Sequence, residues 1–487
     1  MAPPVINSGE ECRMPNRRQV LTLGAAIVAF DALGVGWVTQ AQADTGAKGL
    51  PVPRLDGELV TDVAALAEAA DDYGQIAHRR PRAVLRPGSV SDVVKVVRFA
   101  AEHGIPVAAR GQGHSTFGQA QAPGGVVIDS RTLATVHRVS ARGVVVDAGA
   151  TWGEVTKAAL AGGLTPPVAT DYLGLSVGGT LSVGGIGGAT SRHGLVVDTV
   201  RELEVVTGDG RLVRCSPTVE RELFDAVLGG LGQYGVIVRA TLDLVPASTT
   251  ARIYHLTYPD LRSMTAAQRI ALADGRFDYL EGQVVWSGTG WSYLLEGGVY
   301  HSASAPDDRA VVRGLPAAAK TEITAMPYFD WLNRVYAVVE QLRPLKFPNP
   351  WLNLFLPDRA TDSYIEKLLA TLTPADTGGG PILLYPFTRR RLTRPMVSVP
   401  DSPVVFILSI LRMVAPPDEA VVRKLLVDNR SAYDKAVAVG GTQYPIGSIP
   451  SRPGDWQRHY GSAYGRVHRL KNRFDPRGIL APEQGIF

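Results

Sequence analysis

The pattern of apolar and polar positions divides the chain in two. From 82 to 244, short β-branched runs alternate with breaks marked by glycine and proline. Residues 82–85 read as a strand, and Pro87-Gly88-Ser89 turns the chain. Ser91 is the expected N-cap of a helix whose Val93, Val94, Val97 and Ala100 form a core-facing stripe ending near Gly104. A second strand at 105–109 completes a β-α-β unit. Residues 126–129 and 143–148 read as strands, 152–160 as a helix stopped by Gly162-Gly163, and 203–206 with 212–215 as a hairpin around Asp209-Gly210. A helix at 222–228 and a strand at 236–244 lead to Pro246-Ala247-Ser248, the expected lobe boundary. Beyond it glycine is sparser. Strands expected at 252–258, 279–285, 291–299, 352–356, 381–385 and 404–411 accompany a helix at 263–272, an aromatic-rich connection at 328–351, a helix from 418 and another over 456–474. This is the pattern of an antiparallel sheet with helices on one face, an α+β arrangement.

Two glycine-rich stretches interrupt the pattern. The first, Arg110-Gly111-Gln112-Gly113-His114-Ser115 and onward to Ala120, follows the second strand of the β-α-β unit. Its alternate glycines permit φ > 0 and bare N–H groups, as in an anion-binding nest. Standing alone, it reads as a polar turn with a satisfied histidine. A dinucleotide fingerprint would follow the first strand and open a helix, so a nicotinamide cofactor is not expected. The second stretch, 170–188, has the composition of a flexible linker. The spacing of Leu175, Val177, Leu181, Val183 and Ile186 argues instead for ordered backbone close to a ligand such as a diphosphate.

Length and composition sharpen this reading. At 487 residues the chain exceeds one ordinary domain, so two lobes with separate cores are expected. A net charge of +4 is mild, and the basic residues are scattered apart from Arg389-Arg390-Arg391, which reads as a solvated strand end, so no nucleic-acid partner is expected. Arg17-Arg18, the apolar run 20–38 and Ala41-Gln42-Ala43 read as a twin-arginine signal over 1–43, exporting the protein to the periplasm or beyond and leaving no membrane span in the mature chain. That route carries folded proteins, often with a cofactor in place. Cys215 is then the one cysteine of the mature chain, so neither a disulfide nor a metal site is expected.

Several separated blocks resemble the cytokinin dehydrogenases, a family of vanillyl-alcohol-oxidase-type (PCMH-type) flavoproteins. They are Arg110 to Ser115 with Gly118-Gln119-Ala120, then Thr170-Asp171-Tyr172-Leu173, Val177-Gly178-Gly179-Thr180-Leu181-Ser182, Arg192-His193-Gly194, and 228–237. The second lobe adds Tyr279-Leu280-Glu281-Gly282, Pro350-Trp351-Leu352-Asn353-Leu354 and Leu384-Tyr385-Pro386, and the C-terminus Asp455-Trp456, Phe474-Asp475-Pro476 and Ile479-Leu480-Ala481-Pro482. The resemblance implies an FAD-binding lobe of two α+β subdomains (44–247), a cap lobe with an antiparallel sheet (248–425), and a segment returning to the first lobe (426–487). It implies FAD bonded covalently to His114 and contacted by Gly111, Gln112, Gly113, Ser115, Gln119, Asp171, Ser176, Ser182, Ile186, Ile237 and Gln484. The implied substrates are N6-alkenyl adenines such as isopentenyladenine and zeatin. Asp171 would be the catalytic base and Glu281 the purine-binding catalytic partner, with Trp351, Leu354 and Tyr385 walling the pocket. A quinone-type acceptor or oxygen would reoxidise the flavin. Departures from the family pattern fall at Asn349, at Gly447-Ser448, where the second tyrosine of a Tyr-x-x-Tyr-Leu segment starting at Tyr444 is missing, and at Ala481 and Glu483. A related flavin oxidase of alcohols or sugars, and an exported purine-binding protein without turnover, are the competing expectations.

Overall fold

The β-α-β unit forms as its apolar spacing requires, with the helix starting two residues early. In the structure, a computed structural model describing residues 27–31, 36–39 and 50–487, the helix spans Val90–His103 and is capped at Ser89, not Ser91. Asp92, in its first turn, explains the shift. Its buried carboxylate accepts the backbone N–H groups of Asp56, Gly57 and Gly88 at 2.8–2.9 Å, binding the entry loop to the helix start. The buried face is Val93, Val96, Val97 and Ala100, with Val94 half-buried, and Gly104 ends the helix at φ 65°.

Strands Ala83–Arg86 and Val107–Arg110 flank Val126–Asp129 in parallel, and Glu58–Val60 adds an antiparallel edge. The C-terminal segment returns to this sheet, where Val107 N–H donates to Ile479 C=O and Ala481 N–H to Val107 C=O, both at 2.8 Å. Beneath it, the buried Lys471 ammonium donates to Gln233 Oε1 at 2.7 Å and pairs with Asp475 at 2.8 Å, so the enclosed charge is neutralised. The expected 456–474 helix is two helices, Asp455–Tyr460 and Tyr464–Phe474, broken at Gly461 with φ 50°. A second sheet of five antiparallel strands orders Leu212–Cys215, Val200–Val206, Val236–Leu242, Gly143–Asp147 and Val136–Ser140. The last, a largely polar edge strand, carries no apolar signal in the sequence.

The 170–188 stretch is not a linker. Its centre folds as the helix Val177–Val183, and Trp152 Nε1 donates to Thr180 Oγ1 at 2.9 Å. Its glycines meet protein at close range: a Cβ on Gly178 would lie 2.8 Å from that of Ala148, and one on Gly188 would lie 2.5 Å from the Tyr279 ring.

The cap lobe is an eight-stranded sheet. Its order is Lys320–Pro327, Thr250–Tyr258, Trp291–His301, Tyr279–Trp286, Ile382–Thr388, Val404–Ile410, Leu352–Pro357 and Thr442–Gln443. The exposed Lys320–Pro327 edge strand and the helix Asp358–Leu369 were not expected. Helix Glu419–Ala438, starting where a helix is expected and capped by Asp418, packs on this sheet and spans the 425/426 boundary, so the chain leaves the cap only after Gln443. Arg389-Arg390-Arg391 is an exposed turn ending a strand. The architecture is thus α+β and two-lobed. The arginine pair and the 41–43 cleavage site lie outside the described residues. Strand Ile27–Asp31 pairs with Gly36–Thr39 and Leu50–Pro51. Among the described residues no helix is long and apolar enough to cross a membrane, and no cluster of side chains could hold a metal ion.

Candidate active site

The loop after Val107–Arg110 is shaped by a segment that carries no sequence signal of its own, Asp72-Tyr73-Gly74. Tyr73 N–H donates to Gly113 C=O at 2.8 Å and Gly74 N–H to Ser115 C=O at 3.2 Å. Asp72 accepts the Ser115 hydroxyl at 3.1 Å and Gly118 N–H at 2.7 Å, and burial pushes its carboxyl up to about 7 against these bonds. Gly113, at φ 62°, admits no side chain, because a Cβ there would stand 2.3 Å from the Arg110 guanidinium.

This scaffold fixes His114 in an aromatic box, with ring centroids of Tyr73, Tyr172 and Trp351 at 4.2, 4.9 and 5.4 Å. Burial first, and the nearby Arg343 charge second, push its imidazole down to about 3, so the ring is neutral at physiological pH. Its Nδ1 is enclosed and has no hydrogen-bond partner. A neutral imidazole with an unused buried nitrogen fits a ring that is to be bonded to a flavin. Arg343 closes the box from the cap, donating to Gln112 C=O at 3.1 Å and to the Tyr172 hydroxyl at 2.8 Å.

The other expected cofactor contacts group around this loop to different degrees. A Cβ on Gly111 would collide with Ser176 Oγ at 1.9 Å, so Ser176, which caps Val177–Val183 without using its hydroxyl, lies against the loop. Gln119 spends its amide on Gly447 C=O at 3.0 Å, and Gln484 approaches Gln119 C=O at 3.5 Å. Ser182 Oγ donates to Gly178 C=O within its own helix, and Ile237 is buried in a core strand. Ile186 packs with Val183 against the cap residues Phe355 and Tyr385 and against Tyr444 on the returning segment. Gly447 stands where the family pattern has a second tyrosine, and the next residue, Ser448, donates to Thr116 C=O at 2.9 Å and pins the returning chain to the loop.

Asp171 neighbours Tyr172 in sequence and makes its contacts with the cap. Its Oδ1 accepts the Tyr279 hydroxyl at 2.8 Å, and Arg334 Nη2 stands 3.7 Å away. Gly188 lets the cap strand Tyr279–Trp286 come this close, since a Cβ there would meet the Tyr279 ring, and Leu280 N–H donates to Gly188 C=O at 3.1 Å. On that strand Glu281 is buried, its carboxyl facing Asp171 and the Tyr385 hydroxyl, its Oε1 unpartnered. Burial first and the Asp171 charge second hold Glu281 well above the ordinary carboxylate range, so it keeps its proton.

Strand alternation corrects one expectation. Leu354 points with Leu352 and Leu356 into the core between the cap sheet and its helices, away from the box. Phe355 lies on the opposite face with Tyr385 and Tyr444, as does Asn353, whose amide nitrogen and oxygen are both buried without partners. Reading outward from Trp351 with period two would have added Asn353 and separated Phe355 from Leu354.

The site therefore joins a neutral histidine on the first lobe to a carboxyl pair spanning both lobes. Residues 81–216 match the FAD binding domain family, and residues 293–487 match the family described as cytokinin dehydrogenase 1, FAD and cytokinin binding. The chain is 39% identical over 434 residues to an uncharacterized oxidoreductase of the fasciation locus of Rhodococcoides fascians, covering 88% of this chain and 98% of that protein. It is 36% identical over 493 residues to cytokinin dehydrogenase 10 of Oryza sativa subsp. japonica, with 88% of each chain covered, and 35% identical over 531 residues to cytokinin dehydrogenase 1 of the same species, with 96% and 99% covered. On this identity over nearly its whole length, the chain belongs to the cytokinin dehydrogenase family of FAD-dependent oxidoreductases.

Proposed function

We propose that this enzyme oxidises N6-alkenyl adenines at the side-chain amine, with FAD tethered through His114. The observation that carries the reading is the carboxyl pair: a partly solvated Asp171 on the first lobe facing a buried, protonated Glu281 on the cap. Bound FAD supplies the two-electron acceptor for the hydride that leaves the carbon next to N6. Asp171 takes the N6 proton as that hydride departs, and its Tyr279 hydrogen bond holds the receiving oxygen in place. Glu281, carrying its proton and an unpartnered oxygen, donates to and accepts from the purine edge. Phe355, Tyr385 and Trp351 supply flat apolar walls suited to adenine. The imine product is then cleaved by water to adenine and an aldehyde.

The tether keeps the cofactor with an enzyme exported by the twin-arginine route, where lost FAD would not be replaced. A quinone-type acceptor or oxygen completes the cycle. Acid precipitation tests the tether: yellow colour should stay in the pellet, and a colourless pellet would refute it. Anaerobic isopentenyladenine should bleach the native enzyme. Bleaching by an alcohol or sugar instead would move the assignment to a related oxidase, and ligand binding without bleaching would leave a purine-binding protein.

A further inference from the structure

Behind the carboxyl pair lies a chain of charges that leads out through the cap. Arg334 Nη2 donates to Glu296 Oε1 at 3.1 Å and to the Tyr279 hydroxyl at 2.5 Å, and that hydroxyl in turn donates to Asp171 Oδ1 at 2.8 Å. On the far side, Glu296 Oε2 meets His255 Nε2 at 2.9 Å. The guanidinium lies flat over Trp331, 3.8 Å from the ring centroid, and over Tyr279 at 4.9 Å. It is therefore gripped on its face and along its edge. Glu296, buried on Trp291–His301, would be raised by that burial, but the His255 hydrogen bond and the Arg334 charge outweigh it and keep it ionised.

Two carboxyls facing each other in an enclosed site do not both ionise, so something must choose between them. The charged and titratable groups that act on the pair are Tyr279, Arg334 and Glu296 on the Asp171 side, with His255 behind Glu296, and Tyr385 beside Glu281, with Tyr444 next to it. Arg334 and the Tyr279 donor both address Asp171 Oδ1, whereas Glu281 Oε1 receives no hydrogen bond. We propose that Arg334 is a positioning residue: clamped by Glu296, it presents the Tyr279 hydroxyl to Asp171 and so selects Asp171, not Glu281, as the carboxylate of the pair. This inference rests on the reading of Asp171 as the base.

The test uses the flavin-loaded enzyme and the variants Arg334→Met, Arg334→Lys, Glu296→Gln and Tyr279→Phe. With Arg334→Met, the acidic limb of the pH profile for anaerobic bleaching by isopentenyladenine should move to higher pH by about one unit or more. Bleaching at neutral pH should slow by about tenfold or more, while the ligand dissociation constant changes less than about threefold. Arg334→Lys should bring the limb back while recovering only part of the rate, because one ammonium cannot serve Glu296 and Tyr279 in a fixed fork. Glu296→Gln should move the limb the same way by less. Without substrate, the infrared spectrum of Arg334→Met should gain a protonated carboxyl band distinct from the Glu281 band already present in the parent, and adding Asp171→Asn should abolish it. An unmoved limb with no such band overturns the proposal. Should Arg334→Met fail to load flavin, Tyr279→Phe decides, since it cuts the same link with the guanidinium in place. If Asp171→Asn bleaches like the parent, the functional reading itself has failed. If Asp171→Asn is impaired but the limb stays put, only the role of Arg334 has.

Discussion

The two walls of the site treat their functional groups in opposite ways. On the first lobe, His114 is stripped of charge: three aromatic rings surround it, Nδ1 has no partner, and the nearest cation repels a proton. On the side facing the cap, Asp171 is supplied with a hydroxyl donor and a nearby guanidinium. Under the proposed function the histidine forms one permanent bond, and a neutral, dry ring suits that. Under the same proposal the aspartate takes and releases a proton at every turnover, and polar neighbours that define its charge suit that. Glu281 shows both treatments at once, because it is buried like the histidine yet faces the carboxylate.

The largest effect on this contrast should come from the charged wall. Asp171→Asn should retain colour in an acid pellet while slowing anaerobic bleaching about 10²–10⁴-fold, the range expected for a lost general base; stopped-flow absorbance gives the number. His114→Ala should reverse the pattern, leaving a colourless acid pellet from a folded chain. Glu281→Gln should weaken cytokinin binding and slow bleaching by roughly tenfold each, since the amide can still donate and accept but with altered polarity; a titration of the flavin spectrum separates the two.

Smaller effects test whether the walls are what they look like. Leu354→Ala should lower folding stability by about 2–5 kcal/mol, as a buried core truncation does, with unaltered preference among cytokinins, whereas Phe355→Leu should change that preference. Equal shifts in preference would put Leu354 back in the pocket wall. His459 is a control for the neutral wall: also buried, packed on Trp456 and Tyr460, and pushed down to about 4, but remote from catalysis by its place in the C-terminal helix. As pH falls from 6.5 toward 4, the unfolded chain takes up a proton that the folded one refuses, so stability falls with pH in that window. His459→Phe should flatten this loss in urea melts across pH without touching the bleaching rate.

The legibility of the site followed the range of the forces involved. Helix Trp152–Leu160 coincides with its expectation to the residue, because a Thr151 capping box and an apolar stripe act within a few positions. The Asp-Gly hairpin and most cap strands were readable for the same reason. The 320–327 and 136–140 strands were not, since an exposed edge strand is defined by its neighbour's hydrogen bonds and not by its own apolar pattern. Local sequence motifs carried His114, Asp171 and Glu281. They did not carry Asp72, Arg334, Glu296 or His255, which stand in ordinary surroundings and gain meaning only from partners far away in the chain.

By itself, then, the sequence determined the two-lobed α+β architecture, the glycine loop that presents His114, and the family. Only the tertiary structure decided which face of Leu352–Pro357 looks into the site, that the glycine at 188 makes room for a cap strand, and that one guanidinium stands beside one carboxylate of a pair. The physical reason is that turns, caps and periodicity are set by near neighbours, whereas the charge of a buried group is set by whatever the fold places beside it.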